Sequence, residues 1–338
     1  MQPFVPLFRN PHLATIAGNF WRRTLDEQRF PVTERLYQTE PGVQVLVHSQ
    51  FPESSARGQL ILVHGLEGSS QAGYARSLAQ AALTAGYAVH RYNMRSCGGT
   101  EAICGPQLYH SGQTSDLLAV TREIAATRES PIYLCGFSLG GNVVLKLAGE
   151  LGDTAAALIA GVIAVSTPID LAACSQALKK RINLVYSRRF LDRLKKRIKL
   201  KEQLNPGVFT LDRLDTVKTV YDFDHFFTAQ SFGFGSADNY YATQSSNQFL
   251  DRIRVPALIV HAKDDPLVPF SVYDHPAFAR NPYLRLVAVE HGGHLGFLAK
   301  QKPRFWLDGF LLEWLEERTR QERPAANSRN KVTADSVL

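Results

Sequence analysis

The sequence contains no apolar run approaching the roughly 20 residues that a helix needs to cross a bilayer, which excludes a helical membrane span. Its first eight residues, Met1 to Phe8, lack a basic stretch followed by a long apolar core, so no secretory signal is expected. Cysteine is scarce. Cys97, Cys104, Cys135 and Cys174 show no C-x-x-C pairing. That spacing argues against a disulfide scaffold or a zinc site and for incidental thiols in a reduced, cytoplasmic protein. No recognisable nucleic-acid module accompanies the basic residues, so nucleic acid is not an expected partner. What is present is 338 residues, 45% hydrophobic and 20% charged. That is enough for one large α/β domain with an insertion, or for two domains.

Apolar runs and helical stretches alternate through most of the chain. Val43–His48, Gln59–Val63, Tyr87–Tyr92, Ile132–Cys135, Ala160–Val165, Val255–His261 and Tyr283–Val289 read as strands. Several are apolar almost throughout, as expected of strands buried on both faces of a parallel sheet. Helices follow over about 72–85, from Thr114, over Val143–Ala148 and over about 305–317. The pattern predicts a doubly wound, mostly parallel sheet.

Residues 169–251 break the rhythm and read as a helical cap insertion. Lys179 to Lys201 is densely basic around an apolar stripe of Leu184, Val185, Phe190, Leu191, Leu194 and Ile198. It predicts an amphipathic helix or helix pair, either a solvated face or a contact for anionic lipid or an acidic substrate. The expected layout is a lead-in over 1–30 packed on the core, with a membrane-touching arm as its alternative because aromatics stand beside arginines there, a core of 31–168 and 252–320, the cap, and a disordered tail over 321–338.

Gly136-Phe137-Ser138-Leu139-Gly140 stands between a strand and a helix, which is the G-x-S-x-G nucleophile elbow of an α/β-hydrolase fold. Glycines flank Ser138 because a Cβ at either place would collide in so sharp a turn. The Leu139 N–H then faces the substrate oxygen from a helix start, where the dipole favours developing negative charge. Serine needs a general base, and the base needs an orienting acid. In this fold they follow in the order serine, acid, histidine. Here Asp264-Asp265 follow one late strand, and His291 and His294 follow the last.

Adjacent aspartates diverge, and Asp265 stands in D-x-x-V-P, where the turn would aim its carboxylate inward. Asp264 is assigned to the turn, with Asp170 a minor alternative acid. His294 lies between glycines that let the loop carry its ring over the serine, whereas His291 reads as structural. The second oxyanion donor is expected at Leu66, after His64-Gly65. His64 reads as a loop brace and His110 as structural or pocket-lining. Tyr221 to Asp224 and Asn239 to Tyr241 read as cap-to-core packing with a possible part in an acyl pocket.

Together these segments resemble the YheT-like branch of the α/β-hydrolases. The matching stretches are Asn10 to Thr15, His64 to Ser69, Tyr109 to Gly112, Gly136 to Asn142, His261 to Pro266 and His291 to Phe297. The resemblance implies esterase activity on short-chain acyl esters, with monoacylglycerol or phospholipid hydrolysis in some members. It places the triad on Ser138, Asp265 and His294. No cofactor or metal is expected. The rival expectations are acyl transfer to an alcohol on the same triad, or a non-catalytic lipid-binding protein using the basic cap. A histidine base predicts activity that falls as the pH drops through roughly 6 to 7.

Overall fold

The computed structural model describes residues 3–127 and 130–329. Its strands are β1 (Thr33–Glu40), β2 (Val43–Gln50), β3 (Gln59–Val63), β4 (Ala88–Tyr92), β5 (Ile132–Phe137), β6 (Gly161–Val165), β7 (Ala257–Ala262) and β8 (Leu284–Val289). They form one sheet in the order β1-β2-β4-β3-β5-β6-β7-β8. From β4 to β8 every neighbouring pair is parallel, while β2 runs antiparallel to β1 and β4. All residues of β3 to β7 are buried, which is why β3, β5, β6 and most of β7 read as near-continuous apolar runs, while β4 buries His90 and Arg91 among its apolar residues.

β1 is the strand that the sequence pattern misses. It is a polar edge strand in which only Tyr37 is buried, so it carries little apolar signal.

The helices are α1 (Pro11–Phe20), α2 (Gly73–Thr84), α3 (Ser115–Thr127), α4 (Leu139–Leu151), α5 (Leu171–Lys179), α6 (Leu184–Leu204), α7 (Ala237–Gln244) and α8 (Trp306–Arg329). Short helical turns join the longer ones, including a π-turn over Asp224–Thr228. α8 continues past Glu317 and enters the stretch expected to be disordered. Arg320, Gln321, Glu322, Ala325 and Ala326 favour helix without supplying an apolar period. Residues 330–338 of that expected tail lie outside the described residues.

Two apolar layers flank the sheet. One holds Val143, Val144 and Leu147 of α4 with Leu117 and Val120 of α3. The other holds Leu78 and Ala82 of α2 with Leu311 and Leu315 of α8. A third cluster, Leu191, Leu194, Ile198, Leu214, Val217, Phe223 and Phe227, lies within 169–251 and takes in Leu108 from outside it. All four cysteines are free and buried, and burial pushes the thiols of Cys97, Cys135 and Cys174 up. Among the described residues, no helix is long and apolar enough to cross a membrane.

Asp308, in the first turn of α8, is buried and accepts a hydrogen bond from Ser77 of α2. Burial pushes its carboxyl up to about 6, against the pull of Arg23. The native state therefore holds this proton more tightly than the unfolded chain does. The stabilisation is full below the ordinary carboxyl range and is lost as pH rises through about 6. Asp308→Asn should therefore gain stability relative to wild type between pH 4 and 7, read as the difference in urea midpoints. A constant difference across that window would contradict the assignment.

Candidate active site

The site is built at the carboxyl ends of β3, β5, β6, β7 and β8. Ser138 joins β5 to α4 with φ 52° and ψ −122°, a strained conformation for a residue with a Cβ. The turn closes through Ser138 N–H donating to Val165 O at 2.8 Å. A Cβ on Gly136 would overlap Gly140 O, and one on Gly140 would overlap Val63 O. Those two glycines are thus required by close backbone approach. Among the described residues, six non-glycine residues have positive φ, among them Ser138 itself and Glu67, Ser166 and Leu295 in the loops after β3, β6 and β8. Strain of this kind persists only where the surrounding structure fixes it.

Ser138 Oγ lies 3.0 Å from His294 Nε2, and His294 Nδ1 lies 2.8 Å from Asp265 Oδ2. The carboxylate facing Nδ1 assigns the ring proton there, leaving Nε2 as acceptor for the serine hydroxyl. Asp265 Oδ1 accepts the N–H groups of Leu267 (2.8 Å) and Val268 (3.0 Å), which fixes the carboxylate. Burial pushes the Asp265 pKa up, but the charge and hydrogen bond of His294 outweigh it and hold the carboxyl below its ordinary value. Asp265 therefore stays ionised at neutral pH.

The other candidates fall elsewhere. Asp264 accepts the N–H groups of Gly292 and Gly293, both at 2.9 Å, and pairs with His291 Nδ1 at 3.1 Å. It shapes the histidine loop from below. Asp170 caps α5 by accepting Ala173 N–H. His64 donates from Nδ1 to Gly65 O and accepts Met94 N–H at Nε2, and burial pushes its pKa down to about 4. His110 accepts Gly112 N–H and packs against Phe232, Phe234 and Tyr240; burial pushes it down to about 3. Both rings are neutral at pH 7.

The N–H groups of Leu66 and Leu139 donate to no protein acceptor among the described residues. Leu66, Leu139, Ser138 and His294 line one cavity of about 900 Å³, open to solvent. Its walls come mostly from residues 169–251, including Leu178, Phe190, Leu194, Phe223, Tyr240 and Tyr241. Tyr221 and Asn239 are not among the lining residues. No group of three or more histidines, cysteines or acids suited to a metal occurs among the described residues.

Two supports of the site were not legible in the sequence. Thr15 of α1 accepts the His294 N–H at 2.8 Å, so the lead-in holds the histidine loop. Glu67, beside Leu66, takes a bidentate ion pair from Arg197 of α6 at 2.8 and 2.9 Å. Tyr109 OH bridges the same residue, accepting Glu67 N–H and donating to its carboxylate. Part of the basic run is therefore turned inward. Lys201 is fully buried, with Nζ donating to Glu101 O at 2.9 Å and also to Gly105 O. The sequence does show amphipathic spacing, but it does not say which cations lie under the helix.

Arg197→Met would leave the Glu67 carboxylate, 3% exposed, without its cation. Breaking such a pair by removing one partner costs about 3–5 kcal/mol. The variant should lose that much unfolding free energy in urea, and a loss below about 1 kcal/mol would show that water replaces the guanidinium at little cost.

The family described as "alpha/beta hydrolase fold" matches residues 59–301. YheT of Escherichia coli (strain K12), an esterase by name, is 32% identical over 323 residues, covering 92% of each chain. The Saccharomyces cerevisiae protein named monoacylglycerol lipase is 26% identical over 309 residues, covering 87% of this chain and 68% of its own. Among solved structures, the Pyrococcus furiosus esterase Pf2001 superposes with a TM-score of 0.58 at 17% identity, over 87% of this chain and 98% of that one, a likeness of fold. The chain belongs to the alpha/beta hydrolase fold family, in its YheT-like branch.

Proposed function

We propose that the protein is a serine carboxylesterase that cleaves acyl esters, monoacylglycerol and other lipid esters among them, through an acyl-enzyme on Ser138. The observation that carries this reading is the hydrogen-bonded chain from Ser138 Oγ through His294 to Asp265, at 3.0 and 2.8 Å, at the floor of an apolar cavity. In it, residues 31–168 and 252–320 act as the core and residues 169–251 as the cap.

His294 Nε2 takes the Ser138 proton as Oγ attacks the acyl carbonyl. The carbonyl oxygen becomes an oxyanion held by the Leu66 and Leu139 N–H groups. His294, now protonated and paired with Asp265, returns its proton to the departing alkoxide, which leaves as an alcohol. Water then attacks the acyl-enzyme with His294 again as base, releasing the acid and restoring Ser138. The apolar walls suit an acyl chain, and the YheT and monoacylglycerol lipase likenesses favour an ester over an amide.

The test is turnover of p-nitrophenyl esters from acetyl to palmitoyl, and of monoacylglycerols, with and without an added acceptor alcohol. Release of free acid from at least one ester is the expected result. Transfer to the alcohol in preference to water would favour an acyltransferase, and no turnover of any ester would overturn the reading.

A further inference from the structure

We infer that α1 and the first turn of α6 form a docking surface for an anionic phospholipid membrane, placed at the rim of the catalytic cavity. α1 buries Ala14, Thr15 and Gly18 against the histidine loop, where a Cβ on Gly18 would overlap Gly296. Its opposite side presents Leu13, Ile16 and Phe20 at positions i, i+3 and i+7. Phe20 is 69% exposed, and Trp21 follows it, also exposed. The short turn before α6 adds Ile182 at 66%, and the first turn of α6 adds Val185 at 72%. The two elements meet where His12 stacks on and hydrogen-bonds to Tyr186, and where Arg189 lies over the Phe20 ring.

These apolar side chains are flanked by cations. Lys179 at the end of α5, Lys180 and Arg181 just after it, and Arg188 and Arg189 of α6 are exposed, and Arg22 follows α1. Arg181, Arg188 and Arg22 pair with no carboxylate among the described residues. Asp192 is the acid on the same stretch of α6. Exposed aliphatic and aromatic side chains beside arginines suit the headgroup boundary, where the rings and stems enter the acyl region and the cations face lipid phosphates. Charge complementarity thus selects an anionic lipid surface as the occupant.

Position gives the surface a use. Asn183 donates to Pro266 O, beside Asp265, and Phe190 and Leu194 on the same helix line the cavity. A bilayer resting on α1 and α6 would lie against the cavity rim. The inward cations Arg197 and Lys201, committed to Glu67 and to backbone carbonyls, take no part. Lipid docking therefore belongs to the first turn of the basic run and to the lead-in, not to the run as a whole. The binding claim does not depend on the esterase reading, because partition is measured without turnover.

The experiment is vesicle flotation of the full chain with phosphatidylglycerol–phosphatidylcholine vesicles and with phosphatidylcholine alone, at low and high salt. Hydrolysis of soluble p-nitrophenyl acetate is measured in parallel. Wild type should float with the anionic vesicles and be released by salt. Phe20→Ser combined with Val185→Ser should weaken partition roughly 10²-fold, from lost apolar burial. Arg188→Glu combined with Arg189→Glu should weaken it at least tenfold, and this surface pair stands in if the apolar variant fails to fold. Both should leave turnover of the soluble ester unchanged. No binding by wild type, equal binding to neutral vesicles, or undiminished binding by the folded variants would each overturn the proposal. So would a solution dimer that Phe20→Ser dissociates, because a second copy would then cover the patch.

Discussion

Ser138→Ala should lower the kcat for ester hydrolysis by about 10⁶-fold, the scale of loss when the nucleophile of a Ser-His-Asp triad is removed. The substitution deletes one oxygen, the atom 3.0 Å from His294 Nε2. It leaves the turn intact, because the 138 N–H still donates to Val165 O and Gly136 and Gly140 still permit the close backbone approach. Thermal stability should therefore hold or rise, since an alanine removes a polar group from a strained site without opening a core cavity. Any residual activity would come from the Leu66 and Leu139 N–H groups and from binding, which alone give about 10³–10⁴ over water in comparable sites. A loss below a hundredfold, in a variant with unchanged unfolding, would mean that the acyl group is carried elsewhere.

Asp265→Asn should cost about 10⁴ in kcat with little change in KM. The amide oxygen can still accept from the Leu267 and Val268 N–H groups, so the loop keeps its shape. The opposite face of the amide then offers N–H to His294 Nδ1 in place of a carboxylate. The ring is driven to carry its proton on Nε2, where it can no longer accept from Ser138. The ion pair that stabilises the imidazolium during attack is lost as well. Asp264→Asn should behave differently. Its contacts are to Gly292, Gly293 and His291, so it should loosen the histidine loop and lower stability more than chemistry. If the two variants were equally impaired in kcat, the distinction between the adjacent acids would fail.

The elements easiest to foresee were those whose cause is local. A strand-turn-helix with glycines two residues either side of a serine admits few conformations, and the buried strands β3, β5 and β6 write their environment into near-continuous apolar runs. The adjacent aspartates also divide as the D-x-x-V-P turn suggests, one toward His294 and one toward the loop backbone.

What escaped depends on partners far away in the chain. Nothing near Glu67 announces Arg197, 130 positions later, and nothing near Thr15 announces the His294 N–H. The basic run of α6 has one helical pattern but two fates. Arg188 and Arg189 stay at the surface while Arg197 and Lys201 are drawn against Glu67 and the Cys104 region, a division set by packing and not by composition. β1 escaped because an edge strand needs only one buried side chain, and the length of α8 because propensity continued where the apolar period stopped.

Ser138, activated by His294, is the proposed nucleophile. That role is tested most directly by reacting wild type, Ser138→Ala and His294→Ala with a fluorophosphonate and mapping the adduct by peptide mass. A single adduct on the peptide containing Ser138 is expected in wild type, none in Ser138→Ala, and labelling slowed by at least about 10³-fold in His294→Ala. An adduct on another residue, or labelling of Ser138 at an undiminished rate without His294, would contradict it.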